Sequence, residues 1–398
     1  MKPIYRLLLL SLLAVCTLPL FGQAKLSEQA RISVLTSAPH DGAVFTVFGH
    51  AAFRVHDPEL ELDIIFNYGV FDFTKSNFVY RFAKGETDYK LAVNAYLDYI
   101  FEYQMRGSNV TELVLNLTEQ EKSRLWEALV INAQPENAVY RYNFFFDNCA
   151  TRLPQMVEKY VNGEVIYNNS PASKTFRQMV HDCTAGHPWL TFGIDLALGS
   201  PADRVATAHE MMFLPDYVED EFSKATIKDH AGVERPLVTD TIVVEAVELD
   251  EEGIDWLTIF TPLICGWLFF LLIAVSTFKE WKKKKYFRFI DITLFTLAGL
   301  AGVVLFFLSF ISEHPAIWPN WSVLWLHPFH LIGVVLFGVK RWWKAAFCYH
   351  FINFAVLTLM ILGWGFIPQE LNAAFLPLAA TLWLRSGFAV YRFKRDNK

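Results

Sequence analysis

Chemistry in this chain centres on Cys149. It closes the run Tyr140-Arg141-Tyr142-Asn143-Phe144-Phe145-Phe146-Asp147-Asn148, and Ala150-Thr151-Arg152 follow it where helical spacing begins. A cysteine at a helix N-terminus has its thiolate favoured by the helix dipole and by N–H groups the helix leaves unbonded. Such a nucleophile needs a base within hydrogen-bond reach, a third group to fix that base, and donors for an oxyanion. His50, in Phe48-Gly49-His50-Ala51-Ala52-Phe53-Arg54-Val55, is the candidate base, because glycine and small residues surround it. Asn67 and Asp63, on the following strand, are the candidates for the third group. Asn148, Arg152, Tyr68, Phe146 and Arg54 are the candidate substrate contacts. Arg152 stands one turn past Cys149, where it either meets a phosphate or pairs with Asp147. Two competing readings leave Cys149 inert: a buried small hydrophobe, or a disulfide with Cys183 in an oxidising compartment.

The elements that must position these residues are short strands and helices. Ile32–Thr36, Val44–Phe48, His50–Val55, Leu62–Tyr68, Tyr89–Asn94, Val110–Leu117 and Thr239–Val247 read as strands. Alternation puts His50, Ala52 and Arg54 on one face and Ala51, Phe53 and Val55 on the other. Thr118-Glu119-Gln120-Glu121 is a capping box that starts a helix carrying Leu125, Trp126 and Leu129. The cysteine helix carries Leu153, Met156, Val157, Tyr160 and Val161 at helical spacing, although Pro154 in its second turn removes an N–H bond. His181 to Asp195 reads as a loop, and Ser200-Pro201-Ala202-Asp203 as the start of a helix reaching about Met212. These features describe an α+β domain.

That domain occupies only part of the 398 residues, of which 53% are hydrophobic. Lys2 and Arg6 precede the apolar run Leu7–Val15, and Gly22-Gln23-Ala24 offers a cleavage site, so residues 1–24 read as a secretory signal. Residues 25–256 then form an exported domain, 257–391 five membrane spans, and 392–398 a tail. The spans lie at Leu257–Phe278 and near Ile290–Ile311, Val323–Val339, Ala345–Gly363 and Leu371–Tyr391. Lysine and arginine crowd the first loop, the third loop and the tail, whereas Ser312–Ser322 and Trp364–Glu370 carry none. The positive-inside rule therefore puts the C-terminus in the cytoplasm and the N-terminal domain outside. His327 and His330 read as part of an outer interfacial belt with Trp318, Trp321 and Trp325. A net charge of −6 without a basic stripe argues against a nucleic-acid partner. No metal-ligand spacing, P-loop or dinucleotide fingerprint occurs, so no cofactor or metal is expected, and nothing fixes an oligomeric state.

The combination Phe48-Gly49-His50-Ala51-Ala52-Phe53-Arg54-Val55, Asn67-Tyr68-Gly69 and Asp147-Asn148-Cys149-Ala150-Thr151-Arg152 resembles the Lnb family. Its members are bacterial inner-membrane lipoprotein N-acyltransferases with an exported N-terminal domain. Phe192-Gly193-Ile194-Asp195, Ser200-Pro201-Ala202-Asp203-Arg204 and Met212-Phe213-Leu214-Pro215 carry the resemblance further, as do the trailing spans. The domain is similar in turn to the permuted papain-like group containing lecithin:retinol acyltransferase, in which histidine precedes cysteine. The resemblance implies Cys149 as nucleophile and His50 as its base, a phospholipid acyl donor and a lipoprotein acceptor. It also implies the bacterial cytoplasmic membrane as the location. Two other functions suit the same residues: a cysteine peptidase or amidase acting on cell-wall peptide, and a non-catalytic membrane sensor whose Cys149 is held in a disulfide.

Overall fold

The structure, a computed structural model, describes residues 25–41, 43–71, 77–167, 174–247 and 256–396. The expected signal, residues 1–24, lies outside the described residues, as does the acidic stretch 248–255. The chain divides into two compact units. The first takes the described residues of 1–82, 86–173 and 206–250, the second those of 83–85, 174–205 and 251–398. Residues 174–205, which the sequence assigns to one continuous exported block, therefore cluster with the membrane helices.

The strands of the first unit are β1 (Arg31–Ser37), β2 (His50–Asp57), β3 (Leu62–Val70), β4 (Asp88–Ala95), β5 (Val110–Leu115), β6 (Val139–Arg141), β7 (Glu164–Ile166), β8 (Thr226–Lys228), β9 (Glu234–Pro236) and β10 (Val238–Val244). Seven of them make one antiparallel sheet in the order β10-β5-β1-β2-β3-β4-β6, and β7-β8-β9 make a second. The longer helices are α1 (Tyr96–Met105), α2 (Glu119–Ala133) and α3 (Cys149–Tyr160) of this unit, then α4 (Phe176–Cys183) and α5 (Pro188–Ala197), which belong to the second. The chain returns to the first unit with α6 (Pro215–Lys224). The alternation read along β2 decides the layers. Ala51, Phe53 and Val55 pack in the main core with Leu125, Trp126 and Leu129 of α2, Leu153 and Val157 of α3, and Val218 and Phe222 of α6. Ala52 faces the other way and packs with Leu35 and Ile65 against Tyr99, Ile100 and Tyr103 of α1. The capping box of α2 is present, with Thr118 N–H donating to Glu121 Oε2 at 2.7 Å.

Val44–Phe48 is not a strand. Thr46 Oγ1 accepts from the Ala43 N–H at 2.9 Å and donates to the His40 carbonyl at 2.8 Å, so a hydroxyl closes a local turn and Thr46–Phe48 is a 3-10 turn.

In the second unit, α4 and α5 replace the expected loop, with Pro188 at the first turn of α5, where its missing N–H is harmless. The helix expected over 200–212 is two pieces, a 3-10 turn Ser200–Asp203 and a short helix Ala208–Met211 that belongs to the first unit. Thr207 and Glu210 form a new capping box between them. The buried Arg177 pins the segment: it donates to Asp195 (2.7 Å), Asp203 (2.6 Å) and the Gly199 carbonyl (3.0 Å).

The carbonyls at the end of α5, which a helix leaves unbonded, are taken up by two loops between membrane helices. Asn320 Nδ2 donates to Leu196 O at 2.9 Å, Gln369 Nε2 to Leu198 O at 3.0 Å, and Asn372 Nδ2 to Asp195 Oδ2 at 2.9 Å. The N–H groups of Gly199 and Ser200 donate to Ala316 O and Pro319 O, each at 2.8 Å. Together these bonds form a clasp between residues 174–205 and the loops 312–322 and 364–372.

The helices of the C-terminal region are α7 (Pro262–Lys283), α8 (Arg288–Phe310), α9 (Phe329–Gly338), α10 (Trp343–Leu362) and α11 (Phe375–Asp396). Among the described residues, four stretches are long and apolar enough to cross a membrane, namely α7, α8, Trp321–Gly338 and α10. The fifth expected span is α11, which is long enough but carries Arg385, Arg392, Lys394 and Arg395. Arg385 is fully buried and bonded to Glu280 (2.7 Å), Asp291 (2.6 Å) and Thr277 (2.9 Å) on α7 and α8. His330, which the sequence assigns to an interfacial belt, has its side chain enclosed by protein. It is buried, stacked 3.9 Å from His327, and bonded to the Trp325 carbonyl at 3.0 Å.

Candidate active site

A tight turn delivers Cys149. Asn143 and Asp147 exchange backbone bonds of 2.9 and 3.0 Å, while Asn143 Oδ1 accepts the N–H groups of Phe145 and Phe146 at 3.1 Å. Asn148 is then the N-cap of α3. Its Oδ1 accepts from the Thr151 N–H at 2.9 Å, Thr151 Oγ1 accepts from the Asn148 N–H at 2.8 Å, and Nδ2 donates to Phe144 O and Phe213 O at 2.8 Å. With every polar group of Asn148 used in this way, Cys149 is fixed as the first residue of the helix. Pro154 lies within α3, which continues unbroken to Tyr160.

His50 arrives from the other side. Gly49 has φ +69°, and a Cβ there would stand 2.7 Å from the Ser37 carbonyl, so only glycine fits the turn into β2. Pairing of β2 with β3 begins at Phe53↔Phe66, which leaves the His50 end of β2 without a β3 partner. Asn67, at the end of β3, puts its Oδ1 2.7 Å from His50 Nε2. An amide oxygen can only accept, so Nε2 carries a proton and Nδ1 is left for the sulfur. Tyr99 and Tyr103 flank the ring at 6.4 and 6.2 Å, the latter nearly parallel.

The electrostatics favour an ion pair. Burial alone would raise the Cys149 thiol, yet the His50 charge, the His50 hydrogen bond and the Ala51 and Ala150 N–H groups outweigh it and bring the thiol below its ordinary value. Burial likewise opposes the imidazolium, but the Cys149 charge and the hydrogen bonds to Cys149 and Asn67 raise His50 above its ordinary value. Thiolate, imidazolium and side-chain amide in a row can support nucleophilic acyl chemistry, with the imidazole passing one proton. Neither Cys149 nor Cys183 is in a disulfide, so the inert, bridged alternative is not realised.

The other candidates fall in different places. Asp63 does not meet His50, because it holds Arg54 through two bonds of 2.8 Å; Arg54 also binds Glu112 at 2.7 Å and lies 3.3 Å over the Tyr96 ring. Arg152 pairs with Asp147 at 2.6 and 2.9 Å, taking the second of its two expected roles. Tyr68 is buried, with its hydroxyl accepting from Asn132 at 3.0 Å, and Phe146 is exposed. Three residues beside the sulfur had no assigned role in the sequence. Gly69, at φ +91°, holds open a space in which a Cβ would stand 3.5 Å from Cys149 Cβ and 3.8 Å from His50 Cε1. Tyr140 reaches the same space, and Tyr103 backs the imidazole. Gly69 was visible as the end of Asn67-Tyr68-Gly69, but the two tyrosines are indistinguishable in sequence from core aromatics. Among the described residues no group of three or more His, Cys, Asp or Glu is arranged to hold a metal.

Comparison with known families gives two matches. A model described as the Lnb N-terminal periplasmic domain matches residues 23–182, and one described as the Lnb transmembrane domain matches residues 254–396. No curated protein and no solved structure matches the chain.

Proposed function

The chain belongs to the Lnb family, and from that premise we propose a membrane-anchored, thiol-dependent lipoprotein N-acyltransferase. Cys149 attacks the acyl carbonyl of a phospholipid. The ester C–O bond breaks, the departing alkoxide takes a proton from His50, and a lysophospholipid leaves a thioester on the sulfur. The α-amine of a lipoprotein's N-terminal diacylglyceryl-cysteine then attacks the thioester. His50 accepts the amine proton, the C–S bond breaks, and the product is an amide. An α-amine has a pKa of roughly 7.7–8.0, so an appreciable fraction is neutral and nucleophilic near neutral pH.

One observation carries this reading: Cys149 opens a helix against the His50–Asn67 pair, in a chain that continues into membrane helices. Both substrates are lipids confined to a bilayer, so anchoring the domain raises their effective concentration. The histidine strand preceding the cysteine helix is consistent with a permuted papain-like arrangement. The reading includes α11 as a fifth span, since its buried arginine is neutralised by Glu280 and Asp291. The clasp supports the orientation. Helix α4 lies almost wholly within the periplasmic-domain match, and its segment is bonded to the two loops that carry no lysine or arginine. The basic loops and the C-terminus then lie in the cytoplasm of an inner-membrane protein.

The test uses a strain lacking other N-acyltransferases. Intact-mass analysis of the purified full chain with phospholipid should show an acyl adduct on Cys149, absent in Cys149→Ala, and only the parent should N-acylate lipoproteins. Full acyl transfer by Cys149→Ala, or peptide release from purified cell wall without lipid turnover, would overturn the proposal.

A further inference from the structure

The hydroxyl of Tyr140 is buried and has no hydrogen-bond partner. Nearly all buried polar groups in folded proteins are partnered, so an orphan beside a reactive thiol points to a partner that arrives later. Its position supports this. The point where a Gly69 Cβ would stand is 4.0 Å from Tyr140 Oη, 3.5 Å from Cys149 Cβ and 3.8 Å from His50 Cε1. One atom-sized space is thus bounded by nucleophile, base and an unused donor, and glycine keeps it empty.

The ring is held so that the hydroxyl has little freedom to turn elsewhere. Tyr140 pairs with Tyr89 in the β4–β6 register. The Arg152 guanidinium, locked by Asp147, lies 3.6 Å over its face, and Tyr68 packs against it edge-on at 6.3 Å. Burial first, and the nearby Cys149 charge second, raise the phenol, so it remains a donor through neutral and mildly alkaline pH. The Ala51 and Ala150 N–H groups stabilise negative charge on the sulfur before reaction. During attack that charge moves from sulfur to the carbonyl oxygen, and a donor is needed at a different atom.

We propose that Tyr140 is a catalytic residue, its Oη–H donating to the oxyanion of the tetrahedral intermediate formed on Cys149. The assignment rests on the acyl-transfer reading only in that an acyl carbonyl is the electrophile. A merely structural Tyr140 would be replaced by phenylalanine without consequence, since the ring carries all its packing.

The experiment compares Tyr140→Phe with the parent full chain in detergent, using three reagents. Acylation by a diacyl phospholipid and by p-nitrophenyl butyrate both pass through an oxyanion, whereas alkylation by iodoacetamide does not. Tyr140→Phe should slow both acylations by about 10²–10³-fold, the usual cost of one oxyanion donor. Its alkylation rate and the pH midpoint of that rate should stay unchanged. Acylation within about threefold of the parent would overturn the proposal. So would a parallel fall in alkylation, which would place the hydroxyl on the thiolate instead. If the parent takes no acyl group from phospholipid yet takes butyrate in a Tyr140-dependent manner, the natural donor has been misassigned and the role of Tyr140 stands.

Discussion

At the scale of single residues, the site is a contest between desolvation and pairing. Burial favours a neutral thiol and a neutral imidazole, and their mutual attraction reverses both preferences. Removing one partner therefore exposes the desolvation cost of the other. His50→Ala should raise the pH midpoint of Cys149 alkylation, because the opposing charge is lost while burial remains; an unchanged midpoint would show that the helix N-terminus alone activates the sulfur. In the parent, the midpoint should lie below the ordinary thiol range, and activity should fall at high pH only above the ordinary histidine range. Asn67→Ala leaves Nε2 without its acceptor and should slow acylation by about 10²-fold, within the range for general acid–base groups. Single-turnover acylation checks this. Gly69→Ala places a methyl in the reacting space at ordinary contact distances but at a strained φ. Acyl transfer should fall far more than thermal stability. Of these residues, Cys149 and His50 were legible from their neighbours in sequence. The choice between Asn67 and Asp63 was not, because it depends on Arg54 claiming Asp63 across the sheet.

At the scale of elements, alternation and capping identified most of what a local rule governs. Strands β1 to β5 and the Thr118 box follow from side-chain period and a side-chain oxygen. Val44–Phe48 fails locally, through the Thr46 hydroxyl, whereas two other failures share a long-range cause. Segments 188–197 and 200–203 are held by bonds to residues more than a hundred positions away, such as Asn320 and Gln369, and no window of sequence contains both partners. The clasp they form should be pH-sensitive through His181 and Asp195, which are 2.8 Å apart. His181 is raised by its bond to Asp195, so its contribution is complete below the ordinary histidine value and is lost as pH climbs through the raised one. Asp195 is lowered, against burial, by His181, Asn372 and Arg177; its contribution is present above the ordinary carboxylate value and is lost as pH falls through the lowered one. Protection of residues 174–205 against amide exchange, relative to the intrinsic rate at each pH, should thus be greatest between the ordinary carboxylate and histidine values. Asp195→Asn should weaken that protection and flatten its dependence on pH. A profile unchanged by the substitution would exclude the pair as its source.

At the scale of the molecule, charge placement does two different jobs. Lysines and arginines in the loops predict a topology, since position along the chain is all that the rule requires. Arg385 lies inside the fifth expected span, and the partners that neutralise it lie on α7 and α8. Arg385→Leu should destabilise the membrane unit by about 3–5 kcal/mol, the cost of leaving buried carboxylates unpaired. Thermal aggregation in detergent measures this, and neutralising Glu280 and Asp291 as well should recover much of the loss. The clasp has a further consequence, for detachment. A protease site inserted in residues 248–255 would sever the peptide joining the sheet domain to α7, but residues 174–205 on the released side would still grip the loops at 312–322 and 364–372. The nicked protein should sediment with membranes at neutral pH and wash off only when the clasp is loosened by urea or by Asp195→Asn. The connection to the membrane is in this sense double-stitched, one thread covalent and the other made of hydrogen bonds.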